Sequence, residues 1–315
     1  MLEYLSIKQY KHLKHLNRLW NSEFGRTYPL KKDLYASCIL NDKNLNKDAS
    51  FVALYDNEPV GFIFVKTWFT DSGLNNESET AHISLIFVKK EMRNMGIGSD
   101  MLQLAISEIK KYKNIKTLVV GNDMKKVFPG IPSNLTSAPI FFMNKGFVQK
   151  EGVVDMIRVV RNEKEEELDY KELKVGIATE QEKDEILKLC VENNWKREAF
   201  LLNEYFEKGG TGRRIAIGRL NDKIIGFVRF NDDNRLPFKT SSFIKDKKLG
   251  NIVFVKIDKN FENQEYDVVL NKATKNYMEK RGCKKVIITA TKDINFYKKL
   301  GYSAYTYYLQ YELDL

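Results

Sequence analysis

Residues 82–110 constrain the chain most. An apolar run at 83–88 reads as a buried strand that breaks at the charged Lys89, Lys90 and Glu91. Arg93-x-x-Gly96-x-Gly98-Ser99 follows. Leu102, Ala105, Ile106 and Ile109 then recur at spacings of three and four, which predicts an amphipathic helix. Strand, glycine turn and helix in this order make an anion cradle. Glycine lets a ligand approach the backbone closely, and the first-turn N–H groups of a helix have no partners within it. Lying at the positive end of the helix dipole, those donors suit a phosphate or pyrophosphate. A glycine-rich turn that only starts a helix is the plainer alternative. The arginine, the strand before and the helix after favour a ligand site.

Two familiar phosphate loops do not fit. A Walker A loop ends in Gly-Lys-Ser/Thr, whereas this one runs Gly98-Ser99-Asp100. A dinucleotide loop needs a third glycine where Met101 stands. The stretch resembles the (Arg/Gln)-x-x-Gly-x-(Gly/Ala) signature of the GNAT-type N-acetyltransferases. That resemblance implies a mixed α/β (α+β) fold whose two central strands splay apart around the pantetheine arm of acetyl-coenzyme A. It implies cofactor contacts from Ile86, Phe87, Val88, Arg93, Asn94, Met95, Gly96, Ile97, Gly98 and Ser99.

The rest of the chain agrees in outline. Before the signature, 8–24 and 30–41 read as helices, and 51–55 and 60–67 as strands joined by Asp56-Asn57-Glu58-Pro59. A polar loop covers 70–80. After the signature helix come a short strand at 117–121, a proline-bearing loop with Phe128-Pro-Gly-Ile-Pro132, a short helix at 139–145 stopped by Gly146, and strand-like residues 147–160.

Residues 161–172, dense in glutamate, break the composition and read as a linker or solvated edge. Beyond them the pattern repeats. A helix near 180–194 precedes strands at 214–219 and 223–230, a strand at 252–257, a helix at 265–280, a strand at 284–290 and a helix at 293–300. Phe141-Phe142-Met-Asn-Lys-Gly146-Phe147 echoes Phe296-Tyr297-Lys-Lys-Leu-Gly301-Tyr302. Such self-similarity predicts two tandem domains of the resembled fold, at 1–160 and 173–315. In the second copy Glu262, Glu265 and Asp267 fall where Arg93, Gly96 and Gly98 stand. Carboxylates there would satisfy the helix N–H groups themselves and repel a pyrophosphate. The second domain is therefore expected to buttress the first, to shape the acceptor pocket or to mediate association.

Composition narrows the partners. A chain of 315 residues that is 43% apolar suits two cores, and no apolar run nears the roughly 20 residues that span a bilayer. The N-terminal residues carry no basic segment ahead of a long apolar stretch, which predicts no signal peptide. Cys38, Cys190 and Cys283 lie far apart, as expected of reduced thiols in a bacterial cytoplasm. With only three histidines (His12, His15 and His82) and no cysteine cluster, no metal is expected. The net charge of +10 reads as background lysine usage that helps coenzyme A to bind, rather than as a nucleic-acid surface. A homodimer is allowed but not indicated.

Acetyl transfer to an amine needs a base and, as the thiolate leaves, an acid. A lysine-like amine has a pKa near about 10.4 and must lose a proton before it attacks. His82 at the start of the central strand is the first candidate base and Glu79 the second; a strand-edge histidine without catalytic duty is an equally good reading of His82. The resembled family often places an acidic tyrosine four residues before the Gly-Phe of its last helix. Phe142 holds that place here, and Tyr297 holds it in the second copy. The expected activity is transfer of an acetyl group to a primary amine, most simply on a small molecule. An acyl-coenzyme A binding protein without turnover and a tRNA-dependent aminoacyl transferase of tandem fold are the other classes.

Overall fold

The computed structural model describes residues 1–68, 79–160, 172–232, 248–262 and 264–315. Apart from their last residues, the polar loop expected at 70–80 and the linker expected at 161–172 lie outside the described residues. The first half of the chain runs β1 (Leu2–Ser6), α1 (Leu16–Phe24), α2 (Lys32–Tyr35, continued by a π turn at Ala36–Leu40), β2 (Leu45–Tyr55), β3 (Glu58–Thr67), β4 (Thr80–Val88), α3 (Ile97–Ile109), β5 (Thr117–Val120), β6 (Ile131–Pro132), α4 (Ser137–Met143) and β7 (Val148–Val159). The second half runs β8 (Lys174–Ile177), α5 (Lys183–Glu192), α6 (Lys196–Glu207), β9 (Ile215–Leu220), β10 (Lys223–Asn231), β11 (Leu249–Ile257), α7 (Tyr266–Lys280), β12 (Lys285–Thr291), α8 (Ile294–Lys299) and β13 (Ser303–Asp314).

These elements build two compact units, and two strands change unit along their length. Residues 1–153 and 307–315 belong to the first unit; 154–232 and 248–306 belong to the second. The sheet of the first unit has the order β1-β2-β3-β4-β5-β13. Its last strand is the chain's C-terminus: Glu312 pairs with Val119 and Asp314 with Thr117, antiparallel. The sheet of the second unit has the order β7-β12-β11-β10-β9-β8, and here the 154–159 half of β7 is the borrowed strand, with Arg158 facing Val286. The sequence-based domains, 1–160 and 173–315, differ from these units at those two strands. Contiguity along the chain carries no information about such an exchange.

Both sheets repeat the same local solutions. The hairpin turns are two-residue loops, Asp56–Asn57 and Asn221–Asp222, with all four residues at positive φ. That is the type I′ geometry whose twist matches the flanking strands, and Asn and Asp tolerate it best. In each unit one parallel pair forms the centre: β4 with β5 and β11 with β12.

Core residues on β4 change face midway. Ala81 and Ile83 belong to the cluster under α3, whereas Leu85 and Phe87 belong to the cluster under α1 and α2. Strict alternation would put all four on one side. The switch comes from a bulge at Ser84: Phe64 faces Leu85 while Val65 faces Ile83, so β4 holds one residue more than β3. Five elements were not expected from the sequence: β1, β6, β8, α6 and β13. The helix expected over 8–24 begins only at Leu16, because the chain ahead of it is held in β1 and Ile7 is buried with its N–H on the Ser50 carbonyl at 3.0 Å.

Candidate active site

The site starts where β4 and β5 part. Their ladder runs from Thr80↔Thr117 to Ile83↔Val120, and its last rung is the Gly121 N–H on the Ile83 carbonyl at 2.8 Å. From Leu85 to Val88, β4 pairs with β3 only. The Lys89 N–H reaches β3 at the Val60 carbonyl, 2.8 Å away, so by alternation Ile86 and Val88 turn their N–H and C=O groups into the gap. An open strand edge inside a fold invites an extended chain of amides.

Beyond that edge the signature loop folds as the glycines require. Gly96 caps α3 in the left-handed region, at φ 84°, and an added Cβ would find space there but a strained backbone. No side chain caps this helix, and the Asp100 N–H is the first to turn inward, onto the Gly96 carbonyl at 3.0 Å. The N–H groups of Ile97, Gly98 and Ser99 have no acceptor within the helix, which suits an anion. Arg93 braces the loop: its Nε donates to the Val88 carbonyl at 3.0 Å, and its guanidinium pairs with Glu23 of α1.

A pocket of about 330 Å³ joins the open edge to the glycine loop. Ile86, Phe87, Val88, Arg93, Asn94, Gly96, Ile97, Gly98 and Ser99 all line it; Met95 does not and is largely exposed. Sequence reasoning missed Trp20 and Phe24 of α1, which wall one side, and Leu135, Ser137, Ala138 and Phe141, which wall another. Trp20 and Phe24 stand four residues apart on α1, a spacing that puts both on one face of the helix. Phe142 also reaches the pocket and packs edge-on against Phe141 and Phe147, at 5.1 and 5.0 Å between ring centres.

The two candidate bases part company. Glu79 sits at the far end of β4 on the surface, ion-paired with Lys116 and outside the pocket. Nine residues of strand separate it from Val88, about 30 Å of chain. His82 is half-buried on β4, two residues before the bulge, with Nδ1 3.0 Å from the Gly121 carbonyl. A carbonyl only accepts, so Nδ1 carries the proton and Nε2 carries the basic lone pair of the neutral ring. His82 does not line the pocket itself.

Beneath His82 lies a buried ionic network. Lys66 faces it across the β3–β4 ladder and places Nζ 2.9 Å from Asp42 and 3.2 Å from Asp123, all three side chains being essentially inaccessible. The Lys66 amine also donates to the Cys38 carbonyl at 2.6 Å. Burial pushes the Lys66 amine down, but Asp123 and Asp42 more than offset this and hold it above its usual range. For Asp123, burial works upward, and Lys66, the Ser84 hydroxyl and His82 outweigh it, holding the carboxyl at about 2. Ser84 donates to Asp123 at 2.6 Å.

The corresponding place in the second unit is built differently. Glu265 caps α7 with φ 59°, just as Gly96 caps α3. Asp267 turns its carboxylate onto the Val268 N–H at 2.8 Å, taking up a donor of the first turn. Burial raises the Asp267 carboxyl despite that bond, and nearby Glu265 and Asp293 add to the rise. Tyr297 stands where Phe142 stands in the first unit, buried and edge-on to Tyr302 at 5.7 Å. Among the described residues no group of three His, Cys, Asp or Glu is placed to hold a metal, and no helix is long and apolar enough to cross a membrane.

With the parted strands and the glycine loop in view, the sequence match is decisive. The acetyltransferase (GNAT) family matches residues 13–126 and again residues 181–302. The chain belongs to the GNAT family, with two GNAT domains in tandem. Among solved structures, a GCN5-related glucosamine N-acetyltransferase region of a fungal multi-domain GH3 β-N-acetylglucosaminidase superposes with a TM-score of 0.84 at 17% identity, over 99% of this chain. This chain spans 38% of that protein's length. A tandem GNAT protein from the clavulanic acid biosynthesis pathway, solved without acetyl-coenzyme A, gives 0.66 at 12% identity over 100% of this chain and 98% of its own. A GCN5-related N-acetyltransferase from Sphaerobacter thermophilus gives 0.61 at 12% identity, over 86% and 82%. At such identities the likeness is one of fold. No curated protein matches the sequence.

Proposed function

We propose that the first GNAT domain transfers the acetyl group of acetyl-coenzyme A to a primary amine, by direct attack and without a metal. The observation that carries this reading is one continuous pocket that joins the open β4 edge to the uncapped start of α3. The Ile97, Gly98 and Ser99 N–H groups suit the pyrophosphate, and the Ile86 and Val88 backbone suits the amides of the pantetheine arm. A β4 N–H at this edge would also polarise the thioester carbonyl. Gly98 supports the fit, because its missing side chain leaves room beside Phe141, which an added Cβ would meet at 3.5 Å.

The chemistry balances with the residues present. The amine gives one proton to His82 Nε2, directly or through a water, and its nitrogen attacks the carbonyl carbon. The C–S bond then breaks and the attacking nitrogen sheds its second proton to solvent, leaving a neutral amide and the coenzyme A thiolate, which takes a proton from the imidazolium or from solvent. Phe142 has no proton to give. A thiol has a pKa near about 8.5, so its thiolate leaves without much help, and the missing acid is tolerable. The second GNAT domain, whose loop carries Glu265 and Asp267, serves structure or the acceptor rather than a second acetyl-coenzyme A.

Amino sugars head the acceptor screen, since the fungal neighbour is described as a glucosamine N-acetyltransferase region. Polyamines, amino acids, aminoglycosides and peptide N-termini follow. The test is release of free thiol with each amine, in the intact protein and in His82→Ala. Amine-dependent release that falls about 100-fold in the variant supports the reading. Tight acetyl-coenzyme A binding with no release across the screen favours the second reading, an acyl-coenzyme A binding protein, which Phe142 alone suggests.

A further inference from the structure

The fold supplies its own control for the first domain's buried network. The two parallel ladders end at Ile83↔Val120 and at Ile252↔Ile288, which fixes the correspondence of the two domains residue by residue. Both central strands bulge directly after that point, at Ser84 and at Val253. One position before it stand His82 and Asn251, and their cross-strand partners are Lys66 and Asn231. Three positions past the end of the second strand's ladder stand Asp123 and Thr291. So every member of the set Lys66, His82, Ser84 and Asp123 is replaced by an uncharged or apolar residue in the domain whose ligand loop carries carboxylates. The bulge and the parting of the strands survive that replacement. The fold itself therefore does not require the network.

Burying it is costly, which makes a purely architectural role harder to sustain. Two carboxylates and an ammonium removed from water lose several kcal/mol of hydration each, and pairing returns that only when the geometry is good. What the network adds is position. Asp123 Oδ1 accepts the N–H groups of Lys125 and Lys126, at 2.8 and 3.0 Å, and so folds the turn that follows β5. Its Oδ2 takes the Ser84 hydroxyl at 2.6 Å, tying that turn to the bulge of β4. Gly121, at the head of the same turn, offers the carbonyl to His82 Nδ1. Lys66 holds the carboxylate from below, with Asp42 as its second partner and Lys125 4.0 Å from Asp42 on the other side.

We propose that Asp123 is a positioning residue for the transfer: through Ser84 it locks the bulge that aims the β4 N–H groups, and through its turn it holds the Gly121 carbonyl that keeps His82 protonated on Nδ1 and basic at Nε2. This rests on the reading of His82 as the base, but its test does not depend on turnover. The full-length protein is labelled with ¹⁵N-histidine, and the two ring nitrogens of His82 are followed in the intact protein, in Asp123→Asn and in Ser84→Ala. The carboxamide of Asp123→Asn keeps the shape but turns an NH₂ onto either the Ser84 hydroxyl, which must then accept instead of donate, or the Lys66 ammonium, which cannot accept. The intact protein should show the Nδ1–H form alone, and Asp123→Asn a mixture of tautomers. Where turnover is measurable, kcat should fall about 10–100-fold with the KM for acetyl-coenzyme A within about twofold.

A folded Asp123→Asn with the Nδ1–H form intact contradicts the proposal, whatever happens to kcat. So does a loss that appears wholly in KM. If Asp123→Asn does not fold, Ser84→Ala decides in its place, because it removes one hydroxyl and leaves the ion pairs whole. An intact protein that acetylates nothing sinks the transferase reading, and the tautomer spectra still decide for or against Asp123.

Discussion

Gly96 and Glu265 hold the same left-handed backbone at the same place, each capping the helix that follows a central strand, with φ of 84° and 59°. Glycine does so without strain, whereas an L-residue in that region costs roughly 1–2 kcal/mol. Glu265→Gly should therefore stabilise the second domain by about 0.5–1 kcal/mol, part of the relief being offset by the flexibility glycine gains when unfolded. Thermal unfolding checks this as a small rise in midpoint. The same variant should gain no affinity for acetyl-coenzyme A, because Asp267 still takes the Val268 N–H and keeps a carboxylate at the helix start.

Lys66 separates two buried carboxylates, so its removal is severe. Lys66→Met leaves Asp42 and Asp123 without their ammonium partner and should cost about 3–5 kcal/mol. Denaturant unfolding measures it, and a loss under 1 kcal/mol would mean that water reaches the network.

Asp123 also makes a pH prediction. Its folded value, about 2, lies below the ordinary carboxylate value, so the unfolded chain binds the proton more readily. The stability it contributes is fully present above about pH 4 and is lost as pH falls through about 2. The contribution is on the order of 2 kcal/mol. The slope of unfolding free energy between pH 4 and 2 should flatten in Asp123→Asn; an unchanged slope would place the acid sensitivity elsewhere.

Phe142→Tyr tests the missing acid. Supplying a phenol near the leaving sulfur should raise kcat at pH 7 by up to about 10-fold, and the gain should vanish above about pH 9, where the thiolate needs no proton. A pH–rate profile of both proteins shows it. A gain that is equal at all pH values would point to altered packing against Phe141 and Phe147 instead.

Strand exchange makes the two units depend on each other's sequence. Tyr308 and Tyr311 of β13 are fully buried in the first unit, and the Tyr311 hydroxyl donates to Gln149 at 2.9 Å. Losing two such aromatics costs about 3–5 kcal/mol each, comparable with the whole stability of a typical domain. A chain ending at residue 306 should therefore lose the cooperative melt of its first unit, as should an isolated 1–160 fragment. Circular dichroism on heating decides, and a sharp two-state transition in the 1–160 fragment would contradict the account.

What the sequence made legible follows from range. The glycine loop, the I′ turns and the helices after the central strands are local patterns, and Gly96, Asp56-Asn57 and the Leu102–Ile109 spacing announced them. The repeat was legible because 141–147 and 296–302 echo one another at their aromatic and glycine positions. Lys66, Asp42 and Asp123 stand 24 to 81 positions apart on separate elements, and nothing in their surroundings marked them for burial together. β13 and the half of β7 in the second unit alternate like ordinary strands, and alternation does not say which sheet a strand joins. Glu79 and His82 are near the glycine loop in sequence, yet neither lines the pocket, because an extended strand advances about 3.3 Å per residue.

The most direct test is calorimetric titration of acetyl-coenzyme A into the intact protein and into Gly96→Asp. The substitution puts a side chain on a left-handed cap and a carboxylate at the anion cradle, so it should abolish binding there. The account predicts one site per chain in the intact protein and none in the variant. Two sites would overturn the reading of the second domain. Binding that survives Gly96→Asp, or no binding to the intact protein at all, would contradict the cradle at the start of α3.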